Sequence, residues 1–157
     1  MKYIRLIMIS FLGMIVLAAC GSKTEETVTY TGDMNGFDTT VEMTAKGDDV
    51  VREKIVQVVD FKTAGFNSKE EVDEWLVQQK EYNKNALADL PEDTVTIDYK
   101  IDDKNITIIT HTNYEDVDIQ KLIDAGFIKT DGDKDAKHIS KEKTEANYKN
   151  MGLTKSE

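Results

Sequence analysis

Residues 35–61 read NGFDTTVEMTAKGDDVVREKIVQVVDF, and this stretch decides the fold class. Phe37, Thr39, Val41, Met43 and Ala45 alternate with Asp38, Thr40, Glu42, Thr44 and Lys46. That is the two-residue period of a strand with one face buried. Asn35-Gly36 opens the strand with the dipeptide that suits a tight hairpin turn. Gly47-Asp48 then turns the chain into residues 49–61, a run rich in Val and Ile and long enough to pair antiparallel with its predecessor.

Residues 28–31 supply a strand on the amino-terminal side. Beyond residue 61 the period changes: Val72, Trp75, Leu76, Gln79, Tyr82, Ala86 and Leu87 recur at spacings that place them on one helical stripe, with Trp75 and Tyr82 in the core. Ser68 and Glu71 form a capping box at its start, and Leu90-Pro91 closes it. The acidic first turns, Glu70, Glu71, Asp73 and Glu74, suit the positive end of the helix dipole. Residues 95–101 and 106–111 form a second hairpin through the polar turn at 102–105. Residues 115–125 predict a shorter helix burying Val117, Leu122 and Ile123, with Gly126 as its left-handed cap and Phe127 behind it. A last helix over 141–151 follows an N-cap at Ser140 and ends at Gly152-Leu153. The order βββαββαα predicts an α+β fold: a single antiparallel sheet of about five strands with about three helices on one face.

The first nineteen residues have the zones of an export signal. Lys2 and Arg5 lead, residues 6–16 (LIMISFLGMIV) form an uncharged run, and Leu17-Ala18-Ala19-Cys20-Gly21 follows. The run is too short for a mature membrane span, which takes roughly 20 apolar residues. The small residues before the chain's single cysteine resemble a bacterial lipobox, which implies cleavage between Ala19 and Cys20 and diacylglycerol on the Cys20 thiol. The expected division is a signal peptide at 1–19, a lipidated cysteine and polar tether at 20–27, and one α+β domain at 28–157. With no second cysteine, no internal disulfide forms, and the fold stands on its core.

Charge constrains partners. The chain carries 20 basic and 30 acidic residues; without Lys2 and Arg5 the mature protein has 18 against 30, a formal charge of −12. Phosphate backbones and anionic headgroups repel such a domain, so nucleic acid is excluded and lipid is the expected membrane contact. The expected location is lipid-anchored and extracytoplasmic, on the outer surface of the cell membrane or the periplasmic side of an envelope membrane.

Tyr30-Thr31-Gly32, Asn35-Gly36 opening a strand, and Ala45-Lys46-Gly47-Asp48-Asp49-Val50 at the next turn resemble the YehR-like family of small bacterial lipoproteins. Ile139-Ser140 and the helix end at Gly152-Leu153 are similar to that family's close. The resemblance implies an α+β lipoprotein domain of undetermined biochemical role and brings no catalytic residues.

Local motifs test what chemistry the domain carries. Asp131, Asp133, Asp135 and Glu142 have the one, three, five, twelve spacing of a calcium loop. Ala136 stands where that loop's sharp turn needs glycine, His138 where it needs an aliphatic residue, and the preceding helix stops short, so a solvated acidic turn is expected. Ser140-Lys141-Glu142-Lys143 fits the S-x-x-K of penicillin-interacting enzymes, but no S-D-N or K-T-G accompanies it, and a helix N-cap accounts for the serine. His111 falls on the strand parity of Thr107 and Ile109, and His138 in a polar loop. No cofactor is implied. The expected function is a non-catalytic binding or interaction module with a small-molecule or protein ligand left open; the alternative is a small envelope hydrolase using Ser140 or a carboxylate pair.

Overall fold

The alternation at residues 37–46 is realised as a strand whose Thr39, Val41, Met43 and Ala45 are buried. The computed structural model describes residues 24–128 and 137–156. Within them the elements run β1 (Glu25–Met34), β2 (Phe37–Lys46), β3 (Asp49–Asp60), α1 (Lys69–Ala86), β4 (Val95–Ile101), β5 (Asn105–Asn113), α2 (Ile119–Asp124), β6 (Ile139–Ser140), α3 (Lys141–Asn150) and β7 (Thr154–Lys155). All strands join one sheet in the order β4-β5-β3-β2-β1-β7, with β6 pairing the start of β3 beyond the end of β5. Every ladder is antiparallel.

Residues paired across an antiparallel ladder share a face. The registers therefore set Val28, Tyr30, Val41, Met43, Glu53, Ile55, Val59, Ile106, Ile108, Ile97 and Tyr99 on one side. All three helices pack there. Val72 and Trp75 of α1 meet Val59, Ile106 and Ile108; Ile119 and Leu122 of α2 meet Val95 and Ile97; Tyr148 of α3 meets Val28, Tyr30, Val41 and Met43. The opposite face, carrying Thr40, Glu42, Lys54, Val56, Thr107, Ile109 and His111, has no helix over it among the described residues.

The helix ends follow from local chemistry. Ser68 Oγ accepts from the Glu71 N–H at 3.3 Å, and the Glu71 carboxylate accepts from the Asn67 N–H at 2.8 Å. After α2 and α3, the Phe127 and Leu153 amides reach back to the Leu122 and Tyr148 carbonyls, both at 2.9 Å, through left-handed Gly126 and Gly152. This is the Schellman closure that seats an apolar residue behind each glycine. Gly32 serves a different need, since a Cβ there would lie 2.7 Å from the Gly152 carbonyl oxygen.

Several expectations are corrected. The described sheet has seven strands, not about five, and the order is βββαββαβαβ. The additional strands β6 and β7 span two residues each, too short to show a period. β1 begins at Glu25, so residues 25–27, read as tether, pair with residues 44–46. α2 begins at Ile119, not at 115, because the Asp118 carboxylate accepts from the Gln120 N–H at 3.0 Å and caps the helix there. Tyr82 is 67% exposed. The α1 stripe instead runs through buried Asn83, whose Nδ2 donates to the Tyr99 hydroxyl at 2.7 Å and whose Oδ1 accepts from Gln79 at 3.2 Å. A satisfied amide can take a core position that its polarity would otherwise deny it.

Candidate functional site

The uncovered sheet face is mostly polar, with Val56, Val58 and Ile109 of β3 and β5 as its apolar patch. Thr27 and Thr44 join hydroxyls at 2.8 Å, and Lys54 pairs with Glu42 at 3.2 Å. Between β3 and β5, Val56 lies opposite Ile109. An open depression of about 330 Å³ on this side is lined by Thr27, Glu42, Thr44, Arg52, Lys54 and His111, among others. At the end where β1 begins, Glu25 and Glu115 share the cations Lys46 and Arg52. Lys46 meets both acids, at 3.3 Å for Glu25, and Arg52 meets Glu25 at 2.5 Å and Glu115 at 2.8 Å. The Lys46 ammonium beside Glu115 holds that carboxyl below its ordinary range.

On the covered face the unusual residue is Glu53, a carboxylate only 9% exposed in the middle of the sheet. Its Oε2 accepts from the Tyr114 hydroxyl at 2.5 Å and its Oε1 accepts from the Tyr148 hydroxyl. Tyr148 also lies against Tyr30, ring centroids 5.2 Å apart. Burial, and then the Glu53 charge, push the Tyr114 and Tyr148 hydroxyls well above the ordinary phenol value. Burial and a hydrogen bond to Glu145 do the same for Tyr30. These phenols stay protonated and act as donors, so the cluster binds β3, the segment after β5, and α3 together. It offers a carboxylate with both oxygens engaged.

The structure separates the candidate residues named from sequence. Ala19, Cys20, Asp131, Asp133 and Asp135 lie outside the described residues. Glu142, the last of the calcium-spaced acids, sits in the first turn of α3 with its N–H donating to Asp48 Oδ1 at 3.2 Å. That bond, followed by one from Ser140, holds the Asp48 carboxyl below its usual range. Ser140 is the α3 N-cap, its Oγ accepting from the Lys143 N–H at 3.4 Å. His111 is exposed on the open face with Lys54 and Thr96 as ladder neighbours, on the parity of Thr107 and Ile109. His138 lies before β6, 4.0 Å from Asp49, beside a second depression of about 380 Å³. His111 stands on β5 and His138 in the segment before β6, and no hydrogen bond joins either to Ser140 among the described residues. Trp75 packs edge-on to Tyr99, ring centroids 5.7 Å apart, and against Phe66. Among the described residues no group of three or more His, Cys, Asp or Glu is placed to hold a metal ion.

Sequence reasoning missed Glu53 and the open-face ion-pair ring. Glu53 stands in the charged triplet Arg52-Glu53-Lys54, and which of the three turns inward depends on a one-residue register shift between Thr44 and Ala45.

Residues 26–154 match the model of a protein family described as a protein of unknown function (DUF1307). The chain is 33% identical over 141 residues to an uncharacterized lipoprotein of Listeria innocua, covering 88% of this chain and 86% of that protein. It is 39% identical over 62 residues to an uncharacterized lipoprotein of Listeria monocytogenes, covering 40% of each. In fold it is similar to the NMR structure of Escherichia coli YehR, with a TM-score of 0.65 and 21% identity over 85% of this chain and 91% of that one. A Streptococcus pneumoniae protein solved by NMR is similar at a TM-score of 0.57 and 15% identity, covering 92% of both chains.

Proposed function

We propose that this chain, which belongs to the DUF1307 family, is a non-catalytic binding module held on the extracytoplasmic side of an envelope membrane by lipid on Cys20, after cleavage between Ala19 and Cys20. The observation that carries the binding reading is the uncovered sheet face, where β5, β3 and β2 present Ile109, Val56 and Thr40 side by side with no helix over them among the described residues. Antiparallel sheets commonly leave one face to water, and here the paired strands β1 to β5 all contribute to that face. The non-catalytic reading is supported by Ser140, whose hydroxyl is engaged in capping α3, and by the separation of the two histidines.

The anchor is supported by the signal zones, by the single thiol, and by relatives named as lipoproteins. Five residue steps separate Cys20 from Glu25, the first residue of β1, a reach of at most about 18 Å. With lipid on Cys20, the proposed orientation turns the Glu25, Lys46, Arg52 and Glu115 end toward the membrane and the β1–β2 turn away from it. Cell fractionation of Cys20→Ser tests the anchor, with release or unprocessed accumulation expected. A cleaved product that stays on the membrane overturns it, and labelling of Ser140 by a serine-reactive or penicillin probe overturns the non-catalytic reading.

A further inference from the structure

β4 is the outermost strand on its side of the sheet. The Thr94 carbonyl accepts from the Asn113 N–H at 2.8 Å, and the Asp102 N–H donates to the Asn105 carbonyl at 3.1 Å. These two bonds fix the phase of the ladder: even-numbered residues from 94 to 102 turn their backbone polar groups toward β5. Antiparallel pairing alternates, so the amides and carbonyls of Ile97, Tyr99 and Ile101 point outward. Among the described residues no strand pairs with that edge. A free edge of this kind is a template for another strand.

We propose that the outer edge of β4 pairs antiparallel with the same edge of a second copy, in the register that sets Asp98 opposite the partner's Lys100. The phase above requires odd-numbered residues to face odd-numbered residues, which leaves registers centred on successive residues. Centring on Asp98 overlaps the strands fully but opposes Asp98 to the partner's Asp98; centring on Lys100 opposes Lys100 to the partner's Lys100. Centring on Ile97 makes no charge pair. Centring on Tyr99 alone among these gives two Asp98–Lys100 pairs related by the twofold axis, at non-hydrogen-bonded positions where side chains approach most closely. The same register sets Ile97 opposite the partner's Ile101, both half-buried, so the helix-covered face continues across the junction. The charges that guard the edge against other registers thus select this one. Asp98 and Lys100 are exposed on the open face, and neither is used in the folded chain's ion pairs among the described residues.

The test is sedimentation velocity of the full chain in detergent over a wide concentration range. The unaltered chain is expected to show a monomer–dimer equilibrium. Asp98→Lys is expected to raise its dissociation constant about tenfold or more, by turning two attractive pairs into repulsive ones. The double exchange Asp98→Lys with Lys100→Asp is expected to restore association, which also excludes misfolding as the cause of the loss. A monomer at every concentration, a dimer indifferent to Asp98→Lys, or a double exchange that fails to restore it each overturns the proposal.

Discussion

The two faces of this sheet treat carboxylates in opposite ways. Glu53, on the covered face, accepts hydrogen bonds from two phenols, Tyr114 and Tyr148, with little water at hand. Glu25 and Glu115, on the open face, are shared by Lys46 and Arg52 with all four side chains partly solvated. The ring has more charge, yet the covered cluster has more at stake. Exposed ion pairs gain little in high dielectric and are screened by salt. A buried carboxylate that loses a donor bears its desolvation in full. Fold-holding therefore falls to the phenols, and the ring is a weak clasp at the end of the sheet where β1 begins.

The largest test acts on Tyr148. Tyr148→Ala removes a ring packed on Tyr30 and Met43 and strips a donor from Glu53, with an expected loss of about 3–5 kcal/mol in denaturant unfolding. Tyr148→Phe keeps the ring and removes only the hydroxyl, with an expected loss of about 1–3 kcal/mol. A difference between the two variants isolates packing from the hydrogen bond. If Tyr148→Phe proves neutral, Glu53 has another partner and the contrast between the faces collapses.

The pH dependence of the melting temperature sharpens the same contrast, because its two limbs arise from different groups. Tyr30, Tyr114 and Tyr148 have folded values raised above the ordinary 10.0. Their contribution is fully present below pH 10 and is lost as pH rises toward those folded values. Glu26, Asp48 and Glu115 are lowered from 4.5, 3.8 and 4.5, chiefly by Lys141, by the Glu142 amide and by Lys46 respectively. Their contribution is present above those ordinary values and is lost as pH falls through the lowered ones. The melting temperature is expected to be flat between these limbs.

Much of this was legible in the chain, for reasons that the exceptions expose. The hairpins and helix ends were written in local chemistry: Asn35-Gly36 adopts the paired positive φ of 59° and 86° that a two-residue turn requires, and Ser68, Ser140, Gly126 and Gly152 act where capping rules place them. β6 and β7 could not be read because two residues have no period, and their pairing depends on where α3 returns the chain. The covered cluster was hidden by the bulge. The β2–β3 turn pairs Lys46 with Asp49 and Ala45 with Val50, a register that would set Arg52 opposite Met43. One extra residue, Val51, shifts every later pair, brings Glu53 opposite Met43 and sends Arg52 to the open face. A single-residue slip exchanges faces, and sequence alternation alone does not locate it.

The smallest expected effect falls on the ring itself. Glu115→Gln leaves Lys46 and Arg52 to share Glu25, so both cations keep an anion while the isosteric amide retains one oxygen acceptor. The expected outcome is a melting temperature slightly below that of the unaltered protein at low salt, with the difference vanishing at high salt as screening removes what the pairs contributed. Tyr148→Phe, measured alongside, should lose as much stability at high salt as at low, because its partner carboxylate is shielded from mobile ions. A Glu115→Gln loss that equals the Tyr148→Phe loss and persists in salt would mean that the ring is clamped as rigidly as the core, and that the open face is part of what holds β1 to β3.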